Sequence, residues 1–137
     1  MPLIQQFDTT IHLLQKVLDL RSKNQEVISA NIANAETPGY KSLSFDFEDE
    51  LKSAMDQGGL KPVATNERHF AITPAKIDDV QGRVTAKPDS SGIGDRNTVS
   101  VDNEMIKLSE NEILYEAAVA MLNKKLSMLK YAANDGK

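Results

Sequence analysis

The 137-residue chain has no cysteine and no tryptophan, and aromatic residues make up only 5% of it. Without cysteine there are no disulfides, thiolate metal sites or cysteine nucleophiles, and either redox compartment is compatible. Scarce aromatics argue against a deep small-molecule pocket and fit aliphatic helix seams better. Basic charge is also in short supply: 16 Lys and Arg stand against 20 Asp and Glu, for a net charge of −4 and a pI of about 5.2. A nucleic-acid binder is expected to carry a basic footprint, and an anionic membrane surface would ask for the same. No apolar run approaches the ~18 residues of a membrane span. The start, Met1 to Asp8, has neither the basic nor the apolar region of a secretory signal. The expectation is a cytosolic protein, or one exported without a cleaved signal.

What is present is helical periodicity at the two ends. Ile4, Phe7, Ile11, Leu14 and Leu18 recur at alternating steps of three and four, one face of a helix close to a coiled-coil seam. A second stripe, Leu13, Val17, Leu20 and Val27, runs beside it, with Asn24 interrupting. No Gly or Pro falls between Leu3 and Ala35, so the helix would extend roughly 45 Å. Pro38 and Gly39 end it near Thr37.

Residues 101 to 133 repeat the pattern more strongly. Val101, Met105, Leu108, Glu112, Tyr115, Val119, Leu122, Leu126, Leu129 and Ala133 keep a heptad seam through about four repeats. Leu114, Ala118, Met121, Met128 and Ala132 add a neighbouring stripe. Ser100 or Asp102 is the expected N-cap, and Glu104 suits the first turn.

Between the helices the pattern weakens. Phe45, Phe47, Leu51 and Met55 predict a short helix from Ser44 or Asp46 to Gly58. Residues 60 to 98 are punctuated by Pro and Gly, with room for short extended pieces such as Arg83 to Thr85. The fold class expected is mainly α: long terminal helices pairing as a coiled coil, a short helix, and an irregular, partly β middle. The chain reads as one domain, divided 1–36, 37–99 and 100–135. Pairing buries one stripe on each long helix and leaves the second stripes partly exposed, which calls for further partners.

Chemistry is hard to find. Asp8 lies four residues before His12 and is placed to pair with it, but that helix face has no third metal ligand. His69 sits in the irregular segment. The cluster Asp46, Glu48, Asp49 and Glu50 lacks the spacing of a calcium loop. There is no G-x-S-x-G elbow and no phosphate loop. No enzyme, cofactor, metal or small-molecule substrate is expected.

One segment is more specific. Asn31-Ile32-Ala33-Asn34-Ala35-Glu36-Thr37-Pro38-Gly39-Tyr40-Lys41 resembles the signature of the flagellar rod and hook family, N-x-A-N-x-x-T-P-G-Y/F, which lies at the end of the first helix. Its site residues are Asn31, Ala33, Asn34, Thr37, Pro38, Gly39 and Tyr40. The asparagine amides can bond free backbone groups at a helix end or a neighbouring chain. Asn97-Thr98-Val99, Asp102, Glu104 and Met105 resemble the N-T-V-x-x-D-x-E-M stretch that opens the last helix of the family's proximal rod branch, and Asn111 and Tyr115 continue the match. Arg96 stands where that branch usually has glycine, so the turn there is expected to differ.

The resemblance implies a structural subunit of the proximal rod in the flagellar basal body, a periplasmic drive shaft. Its partners would be copies of itself, other rod proteins, the membrane-embedded ring with its adaptor, and the flagellar type III export apparatus. Phe7 to Ile11 fits that apparatus's F-x-x-x-apolar export motif, although both are also seam positions. Other readings are the second proximal rod protein of the family, or a soluble coiled-coil adaptor or export chaperone.

Overall fold

The computed structural model describes residues 2–57, 77–88, 94 and 96–134, with the side chains of residues 2–8 and 57 outside the description. Helix α1 runs Pro2–Ala33 and helix α3 Val101–Ala133. Strand β1 (Leu43–Asp46), helix α2 (Glu48–Gln57), a 3-10 turn (Ile77–Asp79) and strand β2 (Arg83–Ala86) lie between them in sequence.

The long helices pack antiparallel along a seven-residue ladder. Asn31 meets Glu104, and Asn24 meets Asn111. One heptad further on, Val17 and Ala118 line the same groove. Leu14, Arg21 and Ile28 form the adjoining column of α1; Leu108, Tyr115, Leu122 and Leu129 form that of α3.

This corrects the expected seam by one column on each helix. Leu14, Leu108, Tyr115, Leu122 and Leu129 lie on columns that the pairing uses. In the other expected column of α3, Met105 and Leu126 are each about half exposed (48% and 47%), while Val119 is half-buried. On α1, Ile11 and Leu18 flank the interface half-buried, while the Ile4 and Phe7 side chains lie outside the described residues. Apolar residues cover three columns of each helix, so hydrophobicity alone leaves the rotation open. A buried amide or carboxylate without a partner costs about 1–3 kcal/mol, and the rotation adopted gives Asn31, Glu104, Asn24 and Asn111 their partners.

The expected helix from Ser44 or Asp46 is also corrected. Phe45 and Phe47 are two residues apart, and the extended backbone puts both on one side. β1 pairs antiparallel with β2, Leu43 opposite Ala86 and Asp46 opposite Arg83. The extended piece expected at Arg83 to Thr85 is therefore one strand of a hairpin. α2 starts only at Glu48, and Glu48, Asp49 and Glu50 occupy its first turn, where the positive end of the helix favours anions.

The hairpin and α2 cover the Leu20–Val27 end of the second stripe of α1, and its Leu13–Val17 end stays half-buried beside a groove. Leu20, Phe45, Phe47, Ala54 and Val80 form the buried cluster, with Val27, Leu51 and Ile77 against it. Arg21 lies over the Phe47 ring at 4.9 Å and donates to Glu48 at 2.8 Å. Glu50 accepts from the backbone N–H groups of Gln81 and Gly82. Gly82 has φ +67°, and a Cβ there would sit 2.5 Å from the Phe45 ring.

Candidate functional site: the junction of the two long helices

The end of α1, the start of α3 and the first residues of the hairpin meet at Asn31. Its side chain is fully buried. The amide nitrogen donates to the Leu43 carbonyl at 2.7 Å and to Glu104 Oε2 at 2.9 Å. The amide oxygen accepts the Leu43 N–H at 2.8 Å and the Tyr40 hydroxyl at 3.4 Å. Asn31 thus pairs with Leu43 as a neighbouring strand would, and ties β1 to both long helices. Glu104 is almost fully buried, and its second oxygen accepts from Lys107 at 2.7 Å.

The carbonyls of the turn that follows α1 are met by a residue just before α3. The Asn97 amide donates to the carbonyls of Asn34, Ala35 and Thr37, all within 2.9 Å. Its oxygen accepts the Val99 N–H. Asn34 donates to the Ala30 carbonyl and accepts from the Thr37 hydroxyl. Thr98 donates its N–H to the Tyr40 carbonyl, and its hydroxyl accepts the Ser42 N–H. These bonds tie the exit turn of α1 to the residues that lead into α3.

The remaining motif residues serve the turn or face solvent. Gly39 has φ +74°, as a chain leaving a helix requires. Ala33, Pro38 and Asp102 are exposed, and Val99 is half-buried. Ser100 is the N-cap residue of α3, although its side chain makes no capping bond. Arg96 adopts φ +59°, in the left-handed region that glycine occupies most easily.

Further along the pair, the Asn111 amide accepts from Asn24 at 3.0 Å and donates to the Arg21 carbonyl at 2.9 Å. Sequence reasoning singled out Asn111 but treated Asn24 as an interruption; the signal was that both occupy inward columns of their helices. His12 Nε2 lies 2.7 Å from Asp78 Oδ1 at the exposed surface, and Lys16 donates to the Asp78 carbonyl. The Asp8 side chain and His69 lie outside the described residues. Among the described residues no three His, Asp or Glu side chains gather as a metal site, and no helix is long and apolar enough to cross a membrane.

The junction coincides with a family signature. The family model described as flagella basal body rod protein matches residues 18–41. The chain is 34% identical to the flagellar basal body rod protein FlgB of Proteus mirabilis (strain HI4320), over 98% of this chain and 100% of the relative. It is 37% identical to the FlgB of Aeromonas hydrophila, over 90% of this chain and 91% of the relative.

The chain belongs to the FlgB family of flagellar basal-body rod proteins.

Similarity to the FlgB of Escherichia coli (strain K12), 32% over 98% of this chain and 99% of the relative, also spans both long helices. The stretch matched by the FlgB-containing rod family model holds Arg21, Asn24, Asn31, Asn34 and Tyr40. Arg21, Asn24 and Asn31 bond residues of α3 or β1, Tyr40 donates back to Asn31, and Asn34 closes the helix end. In this FlgB-family chain the signature therefore builds the joint at which the helix pair and the hairpin meet.

Proposed function

We propose that this chain works by assembly and carries out no catalysis. It is a structural subunit of the proximal rod of the flagellar basal body, and it polymerises into the shaft that transmits torque. The observation that carries this reading is an asymmetry in α3. Its inward side is locked by buried polar contacts, while its outward sides present Ile113, Tyr131, Ile106, Met121, Met105 and Leu126, each roughly half to two-thirds exposed. A monomer rarely leaves that many large apolar side chains open.

The two helices are nearly equal in length, 32 and 33 residues, so the pair forms a continuous two-helix stave. A stave of that kind is stiff along its axis, which torque transmission needs. Residues 1–137 act as one rod-subunit domain. Its partners are copies of itself, other rod proteins, the ring and adaptor at the rod base, and the type III export apparatus. Phe7 and Ile11 serve as its export motif.

The test is motility and basal-body assembly in a deletion strain complemented with wild type or with Asn34→Ala plus Tyr40→Ala. Loss of the rod with retention of the inner membrane ring, rescued by wild type, is the expected result. A deletion strain that swims with intact basal bodies would overturn the reading in favour of a soluble adaptor.

A further inference from the structure

Two separate apolar surfaces remain on the α1–α3 pair, and they differ in charge. With the helices antiparallel and the same columns facing inward, the heptad positions on either flank fall on opposite sides of the pair. One side carries Leu13, Leu20 and Val27 of α1 with Leu114, Met121 and Met128 of α3. The hairpin and α2 cover its Leu20–Val27 end. The other end stays open as a groove of about 580 Å³, lined by Leu13, Leu14, Val17, Met55, Leu114, Met121 and Met128, with Lys124 and Lys125 on its rim.

The opposite side carries Ile11 and Leu18 of α1 with Met105, Val119 and Leu126 of α3. Glu112 is the one charge in that column of α3, and Glu116 follows one turn on along the same helix. The groove and the shallow polar hollow on this side, lined by Ser22, Gln25, Glu26, Ser29 and Tyr115, share no residue. One side is thus an apolar groove with a basic rim, and the other an apolar ridge with an acidic centre.

We propose that these two sides bind each other between copies of this chain: the Met105 end of the ridge on one copy seats against Leu114 and Met121 in the groove of the next, with Glu112 against Lys124. This inference rests on the rod reading and deepens it, because it assigns the lateral contact. Charge complementarity selects a second copy over an unrelated partner. The contact joins different patches of the two copies, so it does not close into a two-fold dimer; it propagates, as a shaft requires. Glu112 and Lys124 are twelve positions apart on α3. Setting one over the other displaces parallel neighbours by about 18 Å along the helix, which turns a row of copies into a spiral.

The test is sedimentation of the full-length chain over a concentration series, for wild type, Glu112→Lys and Lys124→Glu. Both residues are exposed, and circular dichroism checks that each variant keeps its helicity. Wild type is expected to form a series of species that grows with concentration and does not stop at a dimer. Each single variant is expected to associate at least tenfold more weakly. An equimolar mixture of the two is expected to recover association, because opposite charges then meet at every alternating contact. Unchanged association in the single variants, a mixture that fails to recover, a plateau at dimer, or no self-association at any concentration would each overturn the proposal. Complementation of the deletion strain separates the two readings. If wild type restores rods and the variants do too, the lateral contact is wrong and the rod reading stands; if the deletion strain never lacked rods, the rod reading itself falls.

Discussion

Asn31 donates to Glu104 at 2.9 Å across the antiparallel helices, both side chains buried and 73 positions apart in the chain. The same amide pairs with both backbone groups of Leu43. Removing it strands a carboxylate oxygen, a carbonyl and an N–H away from water. Asn31→Ala is expected to destabilise the fold by about 2–4 kcal/mol. Asn34→Ala, at a half-buried helix end, is expected to cost about 1 kcal/mol. Urea melts of the two variants check the order; equal losses would contradict the central role given to Asn31.

Asn24 and Asn111 form a polar layer inside an otherwise largely aliphatic interface. Asn111→Leu alone leaves Asn24 and the Arg21 carbonyl without their partner and is expected to cost about 1–3 kcal/mol. Adding Asn24→Leu is expected to recover stability while loosening the choice of register, as buried polar residues do in coiled coils. A double-mutant cycle in urea measures the coupling, and cysteine pairs placed along the two helices read the register.

Arg96 sits at φ +59°. A residue with a Cβ pays about 1–2 kcal/mol for that conformation, and glycine gives part of the gain back through its freer unfolded chain. Arg96→Gly is therefore expected to stabilise the protein by about 0.5–1 kcal/mol, seen as a higher thermal midpoint. Arg96→Val, with a β-branched side chain at the same φ, is expected to lower it.

Gly82 combines a positive φ with the Phe45 ring 2.5 Å from where a Cβ would stand. Gly82→Ala must move a buried ring and strain the backbone, at an expected cost of about 2–4 kcal/mol. The damage should fall on the hairpin first. Amide exchange is expected to speed up in β1 and β2 while the centre of α1 and α3 keeps its protection.

Both long helices were legible before the structure, because helix periodicity and the Pro38–Gly39 stop are local signals. The Asn31–Tyr40 stretch was legible as a family signature. β1 was misread as the beginning of a helix, since Phe45, Phe47 and Leu51 satisfy a helical spacing nearly as well as an alternating one. Only the partner strand, β2, decided between them. Asn24 looked like a flaw in a stripe because its acceptor on Asn111 lies 87 positions away.

The sequence by itself determined the two helices, their length, the turn that separates α1 from the hairpin, and membership of the rod family. Each depends on residues close together in the chain or on a contiguous motif. The tertiary structure decided which columns face inward, that the hairpin covers only the Leu20–Val27 end of the second stripe of α1, and which apolar surfaces stay open. Three apolar columns on each helix bury comparable area in more than one rotation. The choice among rotations rests on pairing Asn31 with Glu104 and Asn24 with Asn111, hydrogen bonds between residues that only the fold brings together.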